Sequence, residues 1–281
     1  GDALTASDNN VAVGVGALGS DTLGNRNVAI GTSALFNQNF TTATSAYNVA
    51  VGHKAGISVS TGSLNTLMGG LTGDALTTGT TNTAVGTQAL TADTAGNRSV
   101  AIGNAALFVQ NFSTSTNAYN VAVGYEAGAA VTTGISNTLI GGLAGDALTD
   151  ADSNIAIGVN ALTTDTLGST SVAIGQDALS TQNFTTATNT YNVAVGHSAG
   201  AGNTTGIRNE FIGGLAGYSN TTGSNNVGIG LSSLEGNTVG SKSIAIGTNA
   251  LALQNPATAT DMYNIAIGDG AGDSVTTGTL N

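Results

Sequence analysis

Asn10-Val11-Ala12-Val13-Gly14-Val15-Gly16-Ala17-Leu18 is answered seventeen residues later by Asn27-Val28-Ala29-Ile30-Gly31-Thr32-Ser33-Ala34-Leu35. The core of the phrase, Asn-Val-Ala-Ile-Gly, occurs fifteen times, its glycine running from Gly14 to Gly268. Successive glycines are 17, 21, 17 and 17 residues apart and the cycle then repeats, so four phrases make a 72-residue superunit in which Gly14, Gly86, Gly158 and Gly230 are equivalent. A fixed short period is the mark of a repeat architecture. The 281 residues therefore read as one continuous array, 1-281, with both ends falling in mid-pattern: Gly1-Asp2-Ala3-Leu4 matches Gly73-Asp74-Ala75-Leu76, and Asn281 matches Asn65.

Within each phrase large and small residues alternate. The residue before the glycine is Val or Ile fourteen times and Met68 once, and the residue before that is usually Ala. Period-two alternation puts Val11 and Val13 on one face of a short strand and Ala12 on the other. A helix is excluded, because glycines at this density would cost about 1 kcal/mol each in helix interiors. Seventeen residues suit one coil of an all-β parallel β-solenoid of about fifteen coils, its strands about 4.8 Å apart, giving a rod of roughly 70 Å. The Val/Ile rows are expected to stack over one another and close a narrow dry interior. Asn opens twelve phrases, and Ser99, Ser171 and Ser243 open the other three. Stacked asparagines form hydrogen-bonded ladders; alternatively they only start turns. The invariant glycine fits either a positive-φ corner or a place where a neighbouring backbone excludes a Cβ.

Composition narrows the function classes. There are 42 Gly, one Pro, no Trp and only 7% charged residues, so the core must be thin and built from small aliphatic side chains. The absence of Cys excludes disulfides, thiolate metal sites and cysteine nucleophiles. Five basic residues against sixteen acidic ones give a formal charge of −11, which disfavours nucleic acid and anionic lipid as partners. No apolar run approaches the length that spans a bilayer, so membrane insertion is not expected of this segment.

The phrase Asn-Val-Ala-Ile-Gly-x-x-Ala-Leu resembles the head repeats of trimeric autotransporter adhesins. Stretches such as Asn82-Thr83-Ala84-Val85-Gly86-Thr87-Gln88-Ala89-Leu90 are similar to the 17-residue arrays of phage tail fibres. The resemblance spans the chain and implies a left-handed parallel β-roll, homotrimerisation and attachment to a surface. It points to a structural and adhesive shaft of an extracellular fibre on a virion or bacterial cell. A self-assembling filament joined end to end is the alternative, as is a module that recognises a cell-surface glycan or receptor.

Little in the sequence points to catalysis. His53 and His197 share a repeat position with Tyr125 and Asp269, so nothing requires an imidazole there, and no serine sits in a nucleophile elbow. Asp74 and Asp146 follow Gly-Gly-x-x-Gly, but calcium β-rolls need Gly-Gly-x-Gly-x-Asp on every turn, so no metal or cofactor is expected. Two features stand out instead. Nine aromatics fall in the 21-residue coils: Phe36, Phe40, Tyr47, Phe108, Phe112, Tyr119, Phe184, Tyr191 and Tyr263. Rings set among Asn and Gln suit either sugar binding with avidity along the array or burial as a packed lid. Once per superunit the strand alanine becomes Leu67, Leu139 or Phe211. These large residues are expected either as apolar plugs between sister chains or as exposed apolar spots.

Overall fold

The computed structural model describes residues 1–281, and its regular elements are all strands, with no helix. The chain is an all-β parallel β-solenoid that divides into two compact units, Gly1–Asn137 and Thr138–Asn281. The first unit stacks Val11–Val13, Val28–Ile30, Val49–Val51, Thr66–Met68, Thr83–Val85, Val100–Ile102 and Val121–Val123. The second stacks Thr138–Ile140, Ile155–Ile157, Val172–Ile174, Val193–Val195, Glu210–Ile212, Val227–Ile229, Ile244–Ile246 and Ile265–Ile267. Within each unit the pairing is parallel with no slip of register: Val11, Ala12 and Val13 lie against Val28, Ala29 and Ile30, and Ile155, Ala156 and Ile157 lie against Val172, Ala173 and Ile174. The ladder continues past the strands, with Gly31 N donating to Val13 O at 2.7 Å and Leu35 N to Ala55 O at 3.1 Å, so each coil satisfies the backbone of the next.

The faces are reversed from the sequence expectation. Ala29, Ala50, Ala84 and Ala101 are wholly buried, while Ile30, Met68 and Ile102 keep 37, 42 and 38% of their surface exposed. The Val and Ile rows do stack over one another, but they form the outer face of the sheet. The inner side of the strand admits only a small residue because a second apolar column fills the interior. That column stands four residues after the invariant glycine and includes Leu18, Leu35, Leu90 and Leu107, all with no exposed surface. These leucines sit at a left-handed corner, with φ of 51° at Leu18 and 50° at Leu35. A left-handed residue costs roughly 1–2 kcal/mol, and full burial of a leucine offsets it with about 1.5–3 kcal/mol.

Leu67, Leu139 and Phe211 are neither plugs between chains nor exposed spots; each is buried in its own chain. They occupy the room left where the leucine column is interrupted by glycine. A Cβ on Gly56 would stand 2.7 Å from Leu67 Cδ1, and one on Gly73 would stand 2.9 Å from Leu67 Cδ2. The same exchange joins Leu139 to Gly145, where the separation would be 2.7 Å. Interior volume is conserved while its source alternates between the two walls, as close packing requires.

The invariant glycine answers to both proposed causes at once. Gly14 has φ +127°, and a Cβ there would lie 2.7 Å from the carbonyl carbon of Gly31 in the next coil. The four-residue insertion of each 21-residue coil is accommodated by small two-stranded sheets. Gly24–Asn25 pairs with Thr44–Ser45, Gly96–Asn97 with Thr116–Asn117, Gly168–Ser169 with Thr188–Asn189, and Gly240–Ser241 with Thr260–Asp261.

Candidate functional site

The asparagine ladder exists, and it runs from side chain to backbone. Asn65 N donates to Asn48 Oδ1 at 2.9 Å and Asn82 N to Asn65 Oδ1 at 3.0 Å, while the amide nitrogens of Asn48, Asn65 and Asn82 donate to the carbonyls of Gly62, Gly79 and Gly96 at 2.8, 2.9 and 2.8 Å. The serine substitutions follow from this geometry. In the coil after Ser99 the residue paired with Gly96 is Thr116, and after Asn27 the residue paired with Gly24 is Thr44; these stand where other coils have the glycine whose carbonyl accepts from the asparagine amide. Asn27 Nδ2 is accordingly buried with no partner. Ser99 and Ser171 instead accept a hydrogen bond on Oγ from Gln110 and Gln182 at 3.0 and 2.9 Å.

Those glutamines belong to a buried polar cluster that sequence reading did not single out. Asp93 is fully enclosed; its Oδ2 accepts from Gln110 Nε2 at 2.7 Å and its Oδ1 accepts from Gly96 N at 3.0 Å and Phe112 N at 3.2 Å. Gln110 Oε1 in turn accepts from Asn120 Nδ2 at 2.8 Å. Asp21 with Gln38 and Asp165 with Gln182 repeat the arrangement, and Asn237 replaces the acid beside Gln254. Burial pushes the Asp93 carboxyl above its ordinary value, against the downward pull of the N–H donors from Gln110, Phe112, Gly96 and Ala95. The clue in the sequence was Asp or Gln recurring seven residues after the glycine, in step with the leucines.

The nine aromatics of the long coils do not act as one group. Phe40, Phe112 and Phe184 are buried, and each follows a buried glutamine by two residues, so they belong to packing. Phe108 is half-buried, whereas Phe36 lies on glycine backbone: a Cβ on Gly19 would be 2.9 Å from its Cε2. Tyr47, Tyr119, Tyr191 and Tyr263 keep 47 to 54% of their surface exposed. They stand at a left-handed corner, each at φ 52°, next to the asparagine column. Arg26 sits 5.3 Å over the Tyr47 ring and donates from Nη1 to its hydroxyl at 2.6 Å; Arg98 does the same with Tyr119 at 5.5 and 2.6 Å. Lys242 lies 5.0 Å over Tyr263 and bonds both the phenol and the Asp261 carboxylate, at 3.0 and 2.8 Å.

His53 and His197 are exposed. Asp74 and Asp146 accept hydrogen bonds from the Thr91 and Thr163 hydroxyls of the following coil. No helix of the chain is long and apolar enough to cross a membrane. No protein-family model matches the chain, and no curated protein matches it.

Proposed function

We propose that the chain is a non-catalytic shaft of an extracellular fibre, a structural and adhesive element displayed on a virion or bacterial surface and assembled as a homotrimer. The observation that carries this reading is the outward face of the parallel sheet. Rows of Val and Ile, in register along each unit, remain part-exposed where a single chain would gain by polar residues; large exposed apolar patches mark interaction surfaces. The occupant is a second and third copy. A chain of charge −11 repels its own kind except where charge is absent, and Glu210 is the one charged residue among the three-residue strands.

A second feature supports close approach at this face. The second glycine of the Gly69-Gly70 and Gly141-Gly142 pairs has no positive φ, and a Cβ on Gly70 or Gly142 would meet nothing within 4 Å. Its own chain does not need it to be glycine. A neighbouring backbone passing there would.

The test is sedimentation of the wild type beside Ile102→Glu and Gly142→Leu, with far-UV circular dichroism to confirm the fold. The 27.2 kDa chain is expected to sediment at three times its mass, and both variants as single folded chains. A monomeric wild type refutes trimerisation, and variants that remain trimeric refute the sheet face as its interface.

A further inference from the structure

The chain has five basic residues; three of them, Arg26, Arg98 and Lys242, lie over exposed corner tyrosines, and a fourth, Arg208, stands one coil after the remaining one, Tyr191. Arg26 and Arg98 precede Tyr47 and Tyr119 by one coil, and Lys242 precedes Tyr263. In the third superunit the cation has changed sides. Thr170 stands before Tyr191, and Arg208 follows it by one coil, its backbone N bonded to Thr190 O at 2.8 Å and its φ of 57° marking the same corner. The third superunit thus places a ring and a cation at successive corners in the opposite order.

We infer that these pairs are binding sites for a polysaccharide bearing carboxylate groups, with the cation as the carboxylate receptor and the phenol hydroxyl that anchors it as a hydrogen-bond donor to the sugar. At Arg26 the Nη1 group is held by Tyr47 OH and by Ser45 Oγ at 3.0 Å, and Arg98 bonds through Nη1 alone; the rest of each guanidinium faces outward with no partner in the chain. A planar fork anchored at one corner is preorganised for a two-point carboxylate contact. The fourth site shows the contact already made. There Asp261 places its own carboxylate on Lys242, where the first two superunits carry Ser45 and Asn117. Asp261 stands in for the ligand and closes that site. On a chain of charge −11 these pairs are local exceptions to a repulsive field, so an anionic saccharide is expected to bind at the pairs and not along the whole surface. Equivalent sites four coils apart, roughly 19 Å, let one long saccharide engage two at once and gain avidity.

The experiment measures retention of the intact chain on immobilised polygalacturonate at low ionic strength, with fully methyl-esterified polygalacturonate and a single-stranded oligonucleotide as comparisons. Its readout is binding in whatever oligomeric state the chain adopts, so it stands or falls apart from the trimer. Binding to polygalacturonate is expected to vanish on esterification, to weaken about tenfold or more in Arg26→Gln/Arg98→Gln, to return only in part in Arg26→Lys/Arg98→Lys, which keeps the charge and loses the fork, and to tighten several-fold in Asp261→Asn, where removing the internal carboxylate opens the fourth site. The gain in Asp261→Asn does not depend on any weakened variant staying folded. Equal binding to the esterified polymer, binding to the oligonucleotide as tight as to polygalacturonate, unchanged affinity in the glutamine variant, or no gain in Asp261→Asn each overturns the inference.

Discussion

Replacing Leu67 with alanine tests the exchange of volume on which the interior rests. Leu67 has no exposed surface, and its two methyls point at the bare α-carbons of Gly56 and Gly73. Neither glycine has a side chain that could move into the void, although methyls of Leu35 and Val59 border it near Gly56. The cost should therefore fall within the usual Leu→Ala range, about 3 kcal/mol. Gly73→Ala alone brings a Cβ to 2.9 Å from Leu67 Cδ2, an overpacking of roughly 1–3 kcal/mol. Gly73 has φ +54°, so any Cβ there also carries roughly 1–2 kcal/mol of backbone strain, which enters the single and double variants alike and cancels from the comparison. In the double variant the new methyl enters the space that the leucine left, so the combined loss should fall short of the sum by at least about 1 kcal/mol. Repeat arrays open locally, so the suitable assay is native-state amide exchange of peptides covering the Thr66–Met68 strand. Additive losses, or a Leu67→Ala cost below about 1 kcal/mol, would show that the side chain does not bridge the two glycines.

The Asp93 carboxyl has its folded pKa raised by burial, so the folded chain holds that proton more tightly than the unfolded chain does. Stability is then greatest below the ordinary carboxyl range and falls as pH rises through the raised value. Asp93→Asn, which copies Asn237, should match or exceed the wild type in urea unfolding at neutral pH, and the gap should close on acidification; a wild type that weakens relative to the variant in acid contradicts this. Asn27→Ser removes the orphaned Nδ2 and installs the residue found at Ser99, Ser171 and Ser243. Against the lost Asn48 N to Asn27 Oδ1 bond of 3.1 Å, the net expectation is a gain of up to about 1 kcal/mol, read as slower amide exchange around residues 27–48.

Much of this molecule can be read from the spacing of Gly14, Gly31 and Gly52 alone: coils and parallel register follow from it, while the asparagine column by itself allows either a ladder or a row of turn starts. The inside and the outside do not. Val-Ala-Val alternates equally well with either face buried, and the preference for burying the larger side chain fails because the corner leucines already occupy the interior. The sequence did carry the deciding relation, in that Gly56 and Gly73 always accompany Leu67 and its equivalents, but it becomes meaningful only when those positions are known to face one another. The aromatic coils were ambiguous for the same reason. Phe40 lies next to Thr41 on the chain, yet its burial depends on the enclosed Asp21 and Gln38 beneath it, while Tyr47 is turned outward by a corner that only the backbone reveals.

The pairing of Leu67 with Gly56 and Gly73 also limits how such a gene can lengthen or shorten. Losing one coil by recombination, for instance residues 70–86, would set Leu67 against Leu90 rather than Gly73 and crowd two large side chains into one space. Losing or gaining 72 residues restores every partnership. Viable alleles should therefore differ by whole multiples of four windings, and the distance spanned would change in discrete increments instead of continuously.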